Sequence, residues 1–305
     1  MTSTRISRTR SFGPTKILTV AAVTFATMLG LAGQAAAADY TPDQRKEYFD
    51  SGKYDQDLEY VAAYGRKFII QRTQPTIKIV RACKAKGFAL GKADPGADPA
   101  ADYTVPVTVP KRQQPDKIVE APKPGVGPVT NPNWPRVQYP KAFKAKRITK
   151  KRCKNMPKLA IAMDMDETIS SSFAYGSDRE VYDNVQSATN LGAGTQTRLT
   201  PMYKLYKLAR NRGLSTFAIT ARPEFLRPTT EKNLDDIGYS ALNDVYMKPA
   251  LGDDTATVKN SERAEIVKHR GYKLIAMFGD QNTDLEGGFF ERGFKYQSPY
   301  GPDEE

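Results

Sequence analysis

From Lys158 onward the chain alternates short apolar runs with amphipathic stretches that stop at glycine, and no other feature constrains its fold as tightly. Leu159–Met163, Leu214–Ile219, Val245–Met247 and Lys273–Phe278 are short, apolar and bounded by turn residues, so they read as strands. Between them the spacing predicts helices over Met202–Arg212, Thr229–Ile237 and Asn260–Arg270, each followed at once by a glycine (Gly213, Gly238, Gly271). Thr200-Pro201 supplies an N-cap residue and a proline for the first of these helices. Strand–helix alternation implies right-handed crossovers and a parallel sheet. In such sheets ligands bind beyond the carboxyl ends of the strands. Asp164, Thr220 and Asp280 all lie at those ends.

The first strand leads into Asp164-Met165-Asp166-Glu167-Thr168. In extended chain residues i and i+2 point the same way, so Asp164 and Asp166 can face one site. Two carboxylates there can hold a divalent cation and attack an electrophile. Asp284, four residues after Asp280, can turn toward the same place on a helical turn.

Four pieces in this order, DMDET (164–168), FAITAR (217–222), VKNSERAEI (258–266) and FGDQNTDLEGG (278–288), resemble the haloacid dehalogenase (HAD) superfamily of aspartate-nucleophile phosphatases. Their wording is similar to its plant-type and bacterial acid phosphatases (class B-like, subfamily IIIB), including secreted bacterial members. The segment EYFDSGKY (47–54) resembles the helix that precedes the first strand in bacterial members. The resemblance implies a Rossmann-like α/β core with a parallel sheet flanked by helices. It also implies a small cap inserted after the first strand, about residues 169–199. By the same resemblance Asp164 is the nucleophile and Asp166 the general acid and base. Mg²⁺ would take Asp164, the Asp166 main-chain carbonyl and Asp280, with Asp284 direct or through water. Thr220, and less directly Arg222, would bind substrate phosphate. For the phosphate-binding lysine two residues compete, Lys248 after a strand and Lys259 at a helix start, and the spacing to Asp280 favours Lys259. The implied activity is hydrolysis of small phosphate monoesters. Phe173, Tyr175 and Tyr182 of the cap are either stacking surfaces for a leaving group or ordinary loop packing. The competing reading is a storage or wall-binding protein that keeps this fold without catalysis, and Asp164 argues against it.

Composition excludes other chemistries. His269 is the only histidine, and Cys83 and Cys153 are the only cysteines. A histidine nucleophile with its partners, or a typical catalytic zinc site, therefore has no ligand set. Residues 1–38 read as a secretory signal peptide: Arg5, Arg8, Arg10 and Lys16, then an apolar stretch, then Ala36-Ala37-Ala38. The mature protein is expected outside the cytoplasm or at the cell surface, free of the membrane after cleavage. Export permits disulfides, and a Cys83–Cys153 bond is expected.

Residues 39–91 read as a mostly helical segment, with helix over Asp39–Arg72 and Ile77–Phe88 as a further helix or strand, and 92–157 as a proline-rich and basic linker or insertion. The phosphatase-like domain is 158–305. Of the formal net charge of +12, four positive charges lie in residues 1–38 and nine in Lys141–Lys158, which leaves −1 for the rest. Lys141–Lys158 carries no acid and is a candidate arm for extracellular polyanions, with too few aromatic residues for base stacking.

Overall fold

The structure, a computed structural model, describes residues 47–90, 118–120, 148–171, 192–250 and 252–297. The leader, most of the cap with Phe173, Tyr175 and Tyr182, and residues 141–147 of the basic run lie outside these. In chain order the elements are α1 (Lys53–Ala85), β1 (Ile118–Glu120), α2 (Lys150–Lys154), β2 (Lys158–Met163), β3 (Ser170–Ser171) and β4 (Thr197–Arg198). Next come α3 (Thr200–Asn211), β5 (Ser215–Pro223), α4 (Arg227–Asp236), β6 (Asp244–Lys248), α5 (Thr255–Ala264), β7 (Tyr272–Gly279) and β8 (Arg292–Lys295). No helix among the described residues is long and apolar enough to cross a membrane.

The sheet is six-stranded with order β1-β8-β7-β2-β5-β6, and every adjacent pair is parallel. The α/β fold expected from the alternation is therefore present. From β2 the chain winds outward through β5 and β6, then returns to β7 and β8 on the other side. The order thus reverses between β2 and β7, and a crevice opens at their carboxyl ends. β2 is central and buried along five of its six positions. Its residues alternate between two cores, as the two-residue period requires. Ile161 and Met163 join Leu58, Leu205 and Phe278 under α1 and α3; Ala160 and Ala162 join Phe217 and Met277 on the opposite face.

α1 packs on the sheet at close range because Gly65 has no side chain. A Cβ there would lie 2.6 Å from the Phe278 ring and 2.7 Å from Leu205. Alanine at this position would overpack the core at a cost of about 1–3 kcal/mol.

The further element expected at Ile77–Phe88 is not separate: α1 is one helix of 33 residues with Pro75 inside. A proline removes an amide and displaces the turn before it. Here side chains serve that turn instead. Thr73 Oγ1 donates to Ile69 O at 2.6 Å, and Arg212 donates to Ile70 O at 3.0 Å. Cys83 and Cys153 are disulfide-bonded, which ties the end of α1 to α2. Both sulfurs are buried beside Ile79. Residues 148–157, read as part of a linker, therefore include a short capped helix fastened to the body, and Ile118–Glu120 adds an edge strand where proline-rich chain is tolerated.

Candidate active site

β2 delivers Asp164 directly from the sheet. Its amide still donates to Phe278 O at 2.8 Å, so the ladder to β7 continues one residue past the strand and fixes the carboxylate at the crevice. The chain then turns sharply; Glu167 adopts φ 56°, and three amides, those of Thr168, Ile169 and Ser170, point at Met165 O. This turn returns Asp166 beside Asp164 rather than past it.

β7 delivers Asp280, and the turn after it brings Asp284 back. Asp284 Oδ2 accepts from the Gln281 amide at 3.0 Å. The approach is so close that a Cβ on Gly279 would sit 2.2 Å from Asp284 Oδ2, so only glycine fits there. From below, the buried Arg263 donates to Asp284 O at 2.6 Å and to Gly288 O at 3.1 Å. Burial lowers the Arg263 guanidinium to about 10. The result is a cluster in which Asp164, Asp280 and Asp284 each offer an oxygen within 4.8 Å of the others, all three buried.

Lys259 is the cation set into this cluster. Its Nζ lies 2.9 Å from Asp164 Oδ1 and also binds Asp284 Oδ1. Burial pushes the ammonium down, but Asp164 and Asp284 outweigh it and hold Lys259 protonated, well above its usual range. Asp164 is pushed well up, by burial first and then by the charges of Asp284, Asp280 and Asp166, with Lys259 opposing. Lys259 is not at the helix start, as its sequence context suggested. α5 begins one turn earlier, where Asp254 accepts from the Thr257 amide as an N-cap. Lys248 lies elsewhere, donating to Thr255 Oγ1 at 3.3 Å.

Thr220 and Arg222 come from β5. The register between β5 and β6 slips between Thr220 and Pro223, and this irregularity lets Arg222 leave the ladder. The Thr220 hydroxyl accepts from the Arg222 amide at 3.1 Å and reaches Asp166 Oδ2 at 3.4 Å. The Arg222 side chain grips Asp166 in bidentate fashion, 3.0 Å to Oδ2 and 2.7 Å to Oδ1. Burial raises the Asp166 carboxyl, yet Arg222, by charge and hydrogen bonds, and then Gln196 outweigh it and hold it below the usual carboxylate range.

Two contributors escaped the sequence reading. Gln196, buried just before β4, donates to Asp166 Oδ1 at 2.8 Å and accepts from Ser170 and Arg222. β3 and β4 form an antiparallel ribbon, and Gln196 ties that ribbon to Asp166. Tyr54 of α1 donates to Glu167 Oε2 at 3.1 Å, bracing the acidic turn from the helix side. No motif marks Gln196, and Tyr54 closes the EYFDSGKY segment without its spacing showing that it reaches Glu167.

The described fold and site define a class: a parallel α/β protein with a lysine-bridged carboxylate cluster at its topological switch point. Residues 136–300, more than half of the chain, match the family of the HAD superfamily, subfamily IIIB (acid phosphatase), and the chain belongs to that family. It is 33% identical over 144 residues to acid phosphatase 1 of Solanum lycopersicum, an alignment covering 45% of this chain and 56% of that protein. The chain thus spans little more than half the length of this relative. Among solved structures, the class C acid phosphatase from Bacillus anthracis with tungstate bound superposes with a TM-score of 0.33 at 16% identity, over 48% of this chain and 69% of that one. A chain of the Pnkp1/Rnl/Hen1 complex does so with a TM-score of 0.34 at 15% identity, over 47% of each chain.

Proposed function

We propose that the mature protein is an exported, Mg²⁺-dependent phosphomonoesterase that works through an aspartyl-phosphate on Asp164. The observation that carries this is the juxtaposition of Asp164, Lys259, Asp280 and Asp284 at the crevice, within a chain of the acid phosphatase family.

The residues fit a hard divalent cation. Two of the three buried carboxylates, Asp164 and Asp284, share Lys259, while Arg263 is spent on the carbonyl oxygens of Asp284 and Gly288 and Arg222 is committed to Asp166. The donors are all oxygen, which suits Mg²⁺. Asp164, Asp280 and Asp284 would hold it, with the Asp166 carbonyl. When bound, the ion neutralises charge on the phosphoryl oxygens.

The chain's own groups account for the rest. Asp164, with Lys259 fixing its Oδ1, attacks phosphorus while the bond to the leaving oxygen breaks. Thr220 and Lys259 donate to the phosphoryl oxygens. Asp166 gives its proton to the leaving alcohol, then takes one from the water that releases phosphate. Arg222 holds Asp166 ionised, so it must let go before Asp166 carries a proton. A phosphate dianion beside Thr220 competes for the same guanidinium and provides that release. Export is supported by the leader and by the disulfide, a bond that persists in oxidising compartments. Hydrolysis of a chromogenic phosphate monoester, with Mg²⁺ and with a chelator, tests the reading. The expected result is turnover that vanishes with the chelator; no turnover in either condition would refute it.

A further inference from the structure

At the opposite edge of the sheet from the acids, β2, β5 and β7 begin at Lys158, Ser215 and Tyr272. A half-open groove of about 550 Å³ runs there between the end of α1 and these strand starts. Ile77, Val80, Leu90 and Leu214 give it an apolar floor, and Arg81, Lys84, Lys158 and Arg212 stand on its walls. No carboxylate lines it.

Several cations elsewhere among the described residues are paired with acids: Arg72 with Glu291, Lys232 with Asp236, Arg270 with Asp244. Among the described residues, none of the four groove cations pairs with a carboxylate. Two are nonetheless held in place. Arg212 donates to Thr73 Oγ1, Ile70 O and Gln74 Oε1, and Lys158 stands 5.6 Å over the Tyr272 ring.

The Cys83–Cys153 bond adds to this concentration of charge. It fastens α2, with exposed Lys150, Lys151 and Lys154, beside the α1 end that carries Lys84 and Lys86. Two basic segments far apart in sequence are thus stapled against their mutual repulsion, an arrangement that an anionic partner relieves.

We propose that this face is a docking surface for a linear polyanion whose charges repeat along the strand and which carries no bases, of the inorganic polyphosphate type. The proposal does not rest on the catalytic reading. A base-bearing strand fits poorly, because Tyr272 is the one aromatic ring lining the groove and it is buried, with Lys158 above it. An anionic bilayer also fits poorly. The exposed large hydrophobic residues of the described body are Ile70 and Phe225, and neither lines the groove, so nothing there inserts into lipid. A concave, cation-walled groove receives a flexible strand instead.

The test uses the full mature, oxidised protein and long-chain inorganic polyphosphate, with affinity measured across a salt series. The expected result is binding that weakens steeply with salt, because bound counterions are released. The triple variant Arg81→Gln, Lys84→Gln, Lys158→Gln is expected to bind on the order of 10- to 100-fold more weakly, with a shallower salt slope. Since Lys158 is partly buried, the all-exposed set Lys150→Gln, Lys151→Gln, Lys154→Gln serves as a second variant and is expected to weaken binding in the same direction. Hydrolysis of a small ester should stay unchanged in both. Failure of polyphosphate to bind at low salt would overturn the proposal, as would parental affinity in both variants. Tighter binding of single-stranded DNA or of phosphatidylglycerol vesicles at equal charge would overturn the assigned partner.

Discussion

Replacing Lys259 by methionine removes the one cation among the buried carboxylates while keeping most of the side-chain volume. In the structure its Nζ bridges Asp164 and Asp284, and all three side chains are 5% exposed or less. Breaking a buried pair by removing one partner costs about 3–5 kcal/mol, because the remaining charge stays desolvated. For a domain of this size each kcal/mol shifts the melting temperature by about 2–4 °C, so a fall on the order of 10 °C is expected in metal-free buffer. Mg²⁺ should recover part of it by supplying the missing positive charge. Turnover should fall by roughly 10²–10³-fold, the usual effect of losing one donor to the transition state. Lys248→Met is the control: its ammonium bonds only Thr255 Oγ1 among the described residues, so a change below about 1 kcal/mol and below about tenfold in turnover is expected. Melting curves with and without Mg²⁺, together with kcat on a chromogenic ester, read both effects. If Lys248→Met costs as much as Lys259→Met, or if Lys259→Met melts like the parent in metal-free buffer, Lys259 is not the cation that holds the carboxylate cluster.

Glu262 is buried, its Oε2 has no hydrogen-bond partner among the described residues, and burial lifts its carboxyl to about 8 despite Lys259 and Arg263. A folded pKa above the unfolded value gives stability that is complete below about pH 4.5 and is lost as pH rises toward 8, so Glu262→Gln should stabilise the protein at pH 8 by roughly 3–5 kcal/mol and barely at pH 4. Denaturant unfolding at the two pH values measures this, and equal effects at both would exclude it. Gln196→Leu should leave the melting temperature within a few degrees but lower kcat more for a poor leaving group than for an activated one, since Gln196 positions Asp166; a uniform loss across leaving groups would assign it to packing alone. The double variant Cys83→Ser, Cys153→Ser opens a loop of 70 residues and should cost about 4 kcal/mol in urea unfolding, and an unchanged midpoint would refute that.

The catalytic half of the fold was legible because each apolar run ends where the sheet ends. Asp164 and Asp280 could be placed at carboxyl edges from the run boundaries alone, and the structure puts them just past β2 and β7, whereas Thr220 lies within β5, which runs on to Pro223 across a register slip. Boundaries set by capping were read less well. Asp254 starts α5 a full turn before Lys259, and the cue, an Asp three residues before Thr257, is common enough to be passed over. Ile77–Phe88 was read as a further element because local sequence contains no sign of Arg212, whose side chain serves the turn before Pro75 from 142 residues away. The roles of Gln196 and of Tyr54, the last residue of EYFDSGKY, were hidden for the same reason. Their partners, Asp166 and Glu167, lie 30 and 113 residues away, and tertiary contact alone joins them.

The proposed mechanism requires Asp164 to become phosphorylated during turnover. Rapid acid quenching of the Mg²⁺-loaded protein during hydrolysis of a phosphate monoester, followed by peptide mass spectrometry, tests it directly. The expected result is a phosphoryl adduct on the peptide carrying Asp164, absent from Asp164→Asn, which should keep its fold and lose turnover. Turnover that persists in Asp164→Asn, or an adduct on a different residue, would contradict it.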